Sequence, residues 1–233
     1  QAKELGMADT NYRNATGLPD PEHYTSAADI ATLSSAMIRE FPEYYRWYSE
    51  KEFTWNGITQ GNRNGLLYRD PTVDGIKTGH TESAGYCLAT SAVRDGMRLV
   101  SVVLGTDSQG AREKDSQALL SYGFRFYESR QLFAAGQAVT EARVWKGDRE
   151  MVQLGVTRDT WATVPRGAAD SLAQQLEVPN PLLAPLDPAV AVGRVRVSAG
   201  GQPVAEVPLY ALAPVAEGSL VQQAWDSVLL WFE

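Results

Sequence analysis

The 233-residue chain has a single cysteine and only two histidines. Cys87 alone permits no internal disulfide, and His23 and His80 are too few and too far apart to build a zinc site with it. No metal and no cofactor are expected. Cys87 stands in GYCLATSA, among small and apolar residues, and reads as an inert strand residue, because unpaired cysteines pack as small hydrophobes. No apolar run approaches the roughly 20 residues that cross a bilayer as a helix. The opening residues, QAKELGMADTN, lack the apolar stretch of a signal peptide and read as the tail of a helix entered partway. Positive charge is scarce too: 21 Lys and Arg stand against 28 Asp and Glu, for a net charge of −7, and the basic residues are dispersed. Nothing in that distribution marks a nucleic-acid surface.

What is present suffices for two modest domains, since 44% of the residues are hydrophobic. Ser26-x-x-Asp29 is an N-cap box before apolar residues at Ile30, Leu33, Met37 and Ile38, which predicts a helix that Pro42 ends. Asn-Gly pairs at 56–57 and 64–65 signal tight turns, and nothing between residues 52 and 76 is long enough for a helix. VDGIKTGHT, AGYCLATSAV and MRLVSVVLG then form an antiparallel meander with a tight hairpin at Asp95-Gly96. In the helix that follows, Ala118, Leu119, Tyr122 and Phe126 fall at helical spacing, the face expected to pack on the meander. Past about Arg130, valine, proline and alternating runs predict an all-β domain with a hairpin at Ala199-Gly200-Gly201. SLVQQAWDSVLLWFE closes the chain as an amphipathic helix with Leu220, Ala224, Trp225, Val228, Leu229 and Phe232 on one face.

The chemistry concentrates at Lys77-Thr78-Gly79-His80. On a strand Lys77 and Gly79 share one face and Thr78 and His80 the other, so an ammonium sits beside a position with no side chain. Glycine inside a strand has few uses, and one is to let another backbone come close, as a peptide pairing with the strand edge would.

With the flanking text NRNGLLYRDPTVDGI and HTESAGYCLATSAVRDGMRLVSVVLG, and with LGMADTNYRNATGLPD upstream and WKGDREMVQLGVTRDTWATVPRG downstream, the chain resembles the low-molecular-mass penicillin-binding proteins that act as serine D-alanyl-D-alanine carboxypeptidases. The resemblance extends over nearly the whole chain. It implies an α+β fold: a penicillin-binding, β-lactamase-like transpeptidase domain, partial here, over residues 1–128; a smaller β-rich domain over 129–216; and the amphipathic helix over 217–233. It also implies three motifs, S-x-x-K, S-x-N and K-T-G, of which only the third occurs. Four of the five lysines have a residue three places before them, and these are Tyr48, Asp74, Ala111 and Arg143. The chain is therefore expected to be the C-terminal part of a longer enzyme, with its nucleophile on an absent N-terminal segment.

By that resemblance, Lys77 supports proton movement and attracts the substrate carboxylate, the His80 backbone N–H completes the oxyanion hole, and Thr78, Gly79, Arg112 and Arg63 bind substrate. Arg112 is expected to hold the terminal carboxylate through its guanidinium fork, and Arg63 to border the cleft. The expected partners are peptidoglycan pentapeptide and β-lactams as covalent inhibitors, with peripheral membrane contact by the last helix. The expected location is the bacterial periplasm, at the outer face of the inner membrane. The alternatives are a serine β-lactamase-like hydrolase, which would not carry the β-rich appendage, and a non-catalytic cell-wall binding protein.

Overall fold

A computed structural model describes residues 1–232, which fall into two compact units divided between Phe126 and Tyr127. In the first unit, helix α1 (Ala27–Glu40) starts at Ser26, whose Oγ accepts from the Asp29 backbone N–H at 3.1 Å. Asp29 is buried, and its carboxylate accepts from the Asp9 N–H and the Thr10 hydroxyl, which ties the opening segment to the helix. α1 ends at Glu40, and Pro42 opens a separate single turn, α2 (Pro42–Tyr45), where its missing N–H costs nothing. The opening residues differ from expectation. Leu5 N–H bonds to Gln1 O and Met7 N–H to Ala2 O, closing turns in place of a helix, and Gly6 at φ 75° redirects the chain.

Strands β1 (Glu52–Trp55) and β2 (Ile58–Gly61) form a hairpin on Asn56 and Gly57, both at positive φ. The second Asn-Gly pair does something else. The Asn64 side chain accepts from the Leu66 N–H and starts a one-turn helix, α3 (Leu66–Arg69), where none was expected. β3 (Val73–Thr81), β4 (Gly85–Arg94) and β5 (Met97–Thr106) make the meander, with β4 in the middle. Leu88–Ala92 of β4 is buried throughout, as a central strand covered on both faces must be.

Helix α4 (Gln109–Phe126) packs on β4 and β5, but with a different face from the expected one. It buries Arg112, Glu113, Ser116, Leu120 and Phe124, and leaves Leu119, Tyr122 and Phe126 exposed. Periodicity misjudged the face because two charged residues lie inward, each with partners: carbonyls for Arg112, Arg69 and Gln109 for Glu113. Gly123 sits where an added Cβ would lie 2.4 Å from Leu99, so helix and sheet meet closely there.

The second unit follows α4 without a linker. It is built from β6 (Tyr127–Phe133), β7 (Ala138–Trp145), β8 (Met151–Gly155), β9 (Thr160–Pro165), β10 (Leu172–Glu177), β11 (Leu182–Leu183), β12 (Ala191–Ala199) and β13 (Gln202–Ala211). Its larger sheet runs β10-β12-β13-β8-β7-β11, with β6 and β9 paired separately. Leu154, Val164, Val195, Val197 and Leu209 are fully buried within this unit. Helix α5 (Leu220–Leu229) is the last element of the described chain; Glu233, the last residue of the expected closing helix, lies outside the described residues. No described helix is long and apolar enough to cross a membrane. The α+β class is as expected.

Candidate active-site edge

β3 lies at the edge of its sheet, so its outer backbone groups face no strand among the described residues. Lys77 pairs with Ala89, Thr78 with Leu88, Gly79 with Cys87 and His80 with Tyr86. Lys77, Gly79 and His80 are exposed and Thr78 is half-buried. The Lys77 ammonium donates to the carbonyl of Thr78. The His80 ring stacks on Tyr86, centroids 4.0 Å apart and 35° from parallel. A Cβ at Gly79 would meet only Cys87, at 3.7 Å, so the space beside this glycine is open.

β3 is held from beneath. The Gly75 carbonyl accepts from the Asn64 side chain at 2.9 Å and from the Thr90 hydroxyl at 2.6 Å. Beside it, Asp74 pairs with Arg98 at 2.8 Å and accepts from the Tyr45 hydroxyl at 3.1 Å. Burial pushes the Tyr45 phenol well above its usual range, and the neighbouring Asp74 charge adds to that. For Arg98 burial opposes the charge, but the hydrogen bond and ion pair with Asp74 outweigh it and raise the pKa.

Arg112, 4% exposed, lies across three backbone segments. Its Nη1 donates to Gly79 O at 3.1 Å and to Cys87 O at 3.4 Å, and its Nη2 to Arg63 O at 3.3 Å. Its Nε is buried without a hydrogen-bond partner among the described residues. The guanidinium also lies 5.6 Å from the Tyr86 ring centre. In this way the Arg63 turn, distant in sequence, is drawn to the K-T-G strand. Asn62 fixes the same turn by accepting from Asn64 N–H and donating to Glu50 O, and the Arg63 side chain is exposed.

The structure thus gathers Lys77, Thr78, Gly79, His80, Arg112 and the Arg63 backbone at one sheet edge. Asn64, Tyr86 and Glu113, which support that edge, were not singled out from the sequence. Asn64 had a usable signal, since an Asn before Gly can cap as well as turn. Glu113 had none, because its partner Arg69 lies 44 residues away. The arrangement offers the Lys77 ammonium, the Thr78 hydroxyl and free backbone groups, which suits an extended anionic peptide.

An antiparallel meander with a cationic K-T-G edge, followed by an all-β unit, is the plan of a penicillin-binding protein. The family profile described as D-alanyl-D-alanine carboxypeptidase matches residues 1–108, and that described as penicillin-binding protein 5, C-terminal domain, matches residues 127–217. The chain belongs to the D-alanyl-D-alanine carboxypeptidase family of penicillin-binding proteins. The D-alanyl-D-alanine carboxypeptidase DacA of Haemophilus influenzae is 39% identical over 231 residues, covering 98% of this chain and 59% of that protein. The crystal structure of penicillin-binding protein 5 from Haemophilus influenzae matches with a TM-score of 0.84 at 40% identity, over 93% of this chain and 64% of that one. Penicillin-binding protein D2 from Listeria monocytogenes, in its cefotaxime-bound form, matches with a TM-score of 0.50 at 36% identity, over 53% of this chain and 52% of that one. The chain spans about three fifths of the length of the curated relatives it matches.

Proposed function

We propose that this chain supplies one wall of the active site of a serine-type D-Ala-D-Ala carboxypeptidase, the nucleophilic serine coming from a segment outside this sequence. The observation that carries the reading is the open edge of β3, with Lys77, Thr78, Gly79 and His80 along it and Arg63 drawn beside it. The substrate is a peptidoglycan stem pentapeptide ending in D-Ala-D-Ala, laid along this edge. The serine hydroxyl attacks the carbonyl between the two alanines, the terminal D-alanine leaves, and water hydrolyses the resulting ester. The negative charge that develops on the carbonyl oxygen is met by the serine N–H and the His80 N–H. Removing one such donor typically costs about 100- to 1000-fold in rate. Thr78, Lys77 and Arg63 offer a hydroxyl and two cations to the terminal carboxylate, a charge-assisted arrangement. Arg112 was expected at the same carboxylate; its guanidinium is buried against carbonyls.

A β-lactam fits the same edge as a mimic of the dipeptide and remains as a slowly hydrolysed acyl group. The all-β unit, matched as a penicillin-binding protein 5 C-terminal domain, speaks against a β-lactamase. We place the enzyme in the bacterial periplasm, at the outer face of the inner membrane, with α5 as a peripheral contact. Intact-mass measurement after exposure to benzylpenicillin tests the reading. A protein joining this chain to its serine-bearing segment gains one penicilloyl group per molecule, and residues 1–233 alone gain none. No adduct on the folded longer protein removes the enzyme reading; an adduct on this chain alone relocates the nucleophile.

A further inference from the structure

We infer that Arg112 is a positioning residue: by holding the Gly79 carbonyl it fixes the plane of the Gly79–His80 peptide and so aims the His80 N–H. The inference rests on the reaction proposed above, in which that N–H faces the oxyanion. A trans peptide is planar, with its C=O and N–H on opposite sides. A donor that grips Gly79 O from within the sheet therefore directs the His80 N–H outward, toward the open edge.

Gly79 has the widest choice of backbone angles of any residue, and it lies on an edge strand near a hairpin end. The Arg112 Nη1 bonds Gly79 O at 3.1 Å and its cross-strand partner's carbonyl, Cys87 O, at 3.4 Å. Nη2 carries the same cation to Arg63 O at 3.3 Å. One rigid fork thus sets the relative positions of β3, β4 and the Arg63 turn, which a lysine could not span. A cation on the carbonyl also polarises the peptide and strengthens its N–H as a donor, as linked hydrogen bonds do. His80 and Arg112 both contact the Tyr86 ring, so the side chain next to the aimed N–H is packed over the same cluster. Arg112 is ill placed to read a substrate carboxylate directly. The residue is 4% exposed, both terminal nitrogens already donate to carbonyls, and Nε has no accessible surface.

Two measurements on Arg112→Ala and Arg112→Lys test this. In isotope-labelled residues 1–233, the Gly79 carbonyl 13C and His80 amide 15N resonances should move in both variants. The amides of Thr90, Ala92 and Ser101, deeper in the sheet, should stay in place. In the longer, serine-bearing protein, turnover of acid-terminated and amidated substrates should fall by the same factor, about 10- to 100-fold, in kcat and not in KM. Arg112→Lys keeps the cation and most of the packing, so it still reports if Arg112→Ala does not fold. Unchanged Gly79 and His80 resonances overturn the inference. So does a loss confined to the acid substrate, which returns the carboxylate to Arg112. A wild-type protein that turns over neither substrate removes the proposed reaction, while the resonance arm still judges the clamp.

Discussion

Glu113 and Arg69 form an ion pair in which the carboxylate side chain is 1% exposed and the guanidinium 65% exposed. The pair joins the first turn of α4 to α3, and Gln109 adds a hydrogen bond of 3.2 Å to the same carboxylate. Its two partners are not equivalent. Removing the guanidinium leaves a buried charge uncompensated, whereas neutralising the carboxylate leaves an arginine that water can solvate. We expect Arg69→Ala to cost about 3 kcal/mol and Glu113→Gln about 1 kcal/mol. Urea unfolding of both variants checks the order, and a larger loss for Glu113→Gln would contradict it.

Asp70 gives the first unit a defined acid limit. Burial pushes its carboxyl up, but hydrogen bonds from the Thr72 hydroxyl and N–H, from Gln117 and from Arg94 together outweigh it and hold the pKa at about 2. A pKa lowered in the folded state contributes stability above the ordinary carboxylate value of about 4, and that stability is lost as pH falls toward about 2. Asp70→Asn should therefore be less stable than wild type at pH 5, with the difference shrinking across that window and gone below it. Thermal unfolding at a series of pH values measures the gap; one that stays constant down to pH 2 rules Asp70 out.

The strands were legible because hairpin chemistry is local. Asn56-Gly57, Asp95-Gly96 and Gly200-Gly201 each sit at the turn the sequence predicts, with positive φ at every one of the six residues. The K-T-G edge was legible for a related reason, since alternation along one strand fixes which residues share a face. The α4 face was not, because apolar spacing cannot register that Arg112 and Glu113 go inward to meet carbonyls and a partner far along the chain. Asn64 was read as a turn residue when it also holds the Gly75 carbonyl, a bond that exists only once β3 is in place.

Two glycines on β3 should answer differently to the same methyl. At Gly75 an added Cβ would lie 2.6 Å from the Tyr45 hydroxyl oxygen and 3.3 Å from the Tyr48 Cβ, under the strand that carries the site. Gly75→Ala should lose about 1–3 kcal/mol through overpacking. At Gly79 the nearest atom is 3.7 Å away, so Gly79→Ala should keep the wild-type melting temperature within a few degrees, about 1 kcal/mol or less. Its methyl instead occupies the space left for substrate, and acylation by benzylpenicillin in the serine-bearing protein should slow roughly 100-fold. Calorimetry and acylation rates on the two variants separate the effects; a Gly79→Ala protein with normal acylation would mean that nothing passes close to that backbone.

Asp226 is the only charged residue in α5, and its burial bears on the membrane contact proposed for that helix. From sequence, a carboxylate in this helix counts against insertion of its apolar face. In the structure Asp226 turns inward, 9% exposed, and accepts from the Lys146 N–H at 2.5 Å, while Leu220, Val221, Trp225 and Val228 are exposed. The exposed face is therefore uncharged. In the proposed contact apolar area would be the driving force, and with no Lys or Arg in α5 that helix offers no attraction to anionic lipid. Binding of residues 1–233 to phosphatidylcholine vesicles should blue-shift tryptophan emission and be indifferent to added phosphatidylglycerol or to salt. Trp225→Ser should weaken it by about 2 kcal/mol, or roughly 30-fold. Asp226→Ala should instead loosen the helix from Lys146 and lower the melting temperature. Binding that required anionic lipid would place the contact on another, basic surface and remove α5 from it.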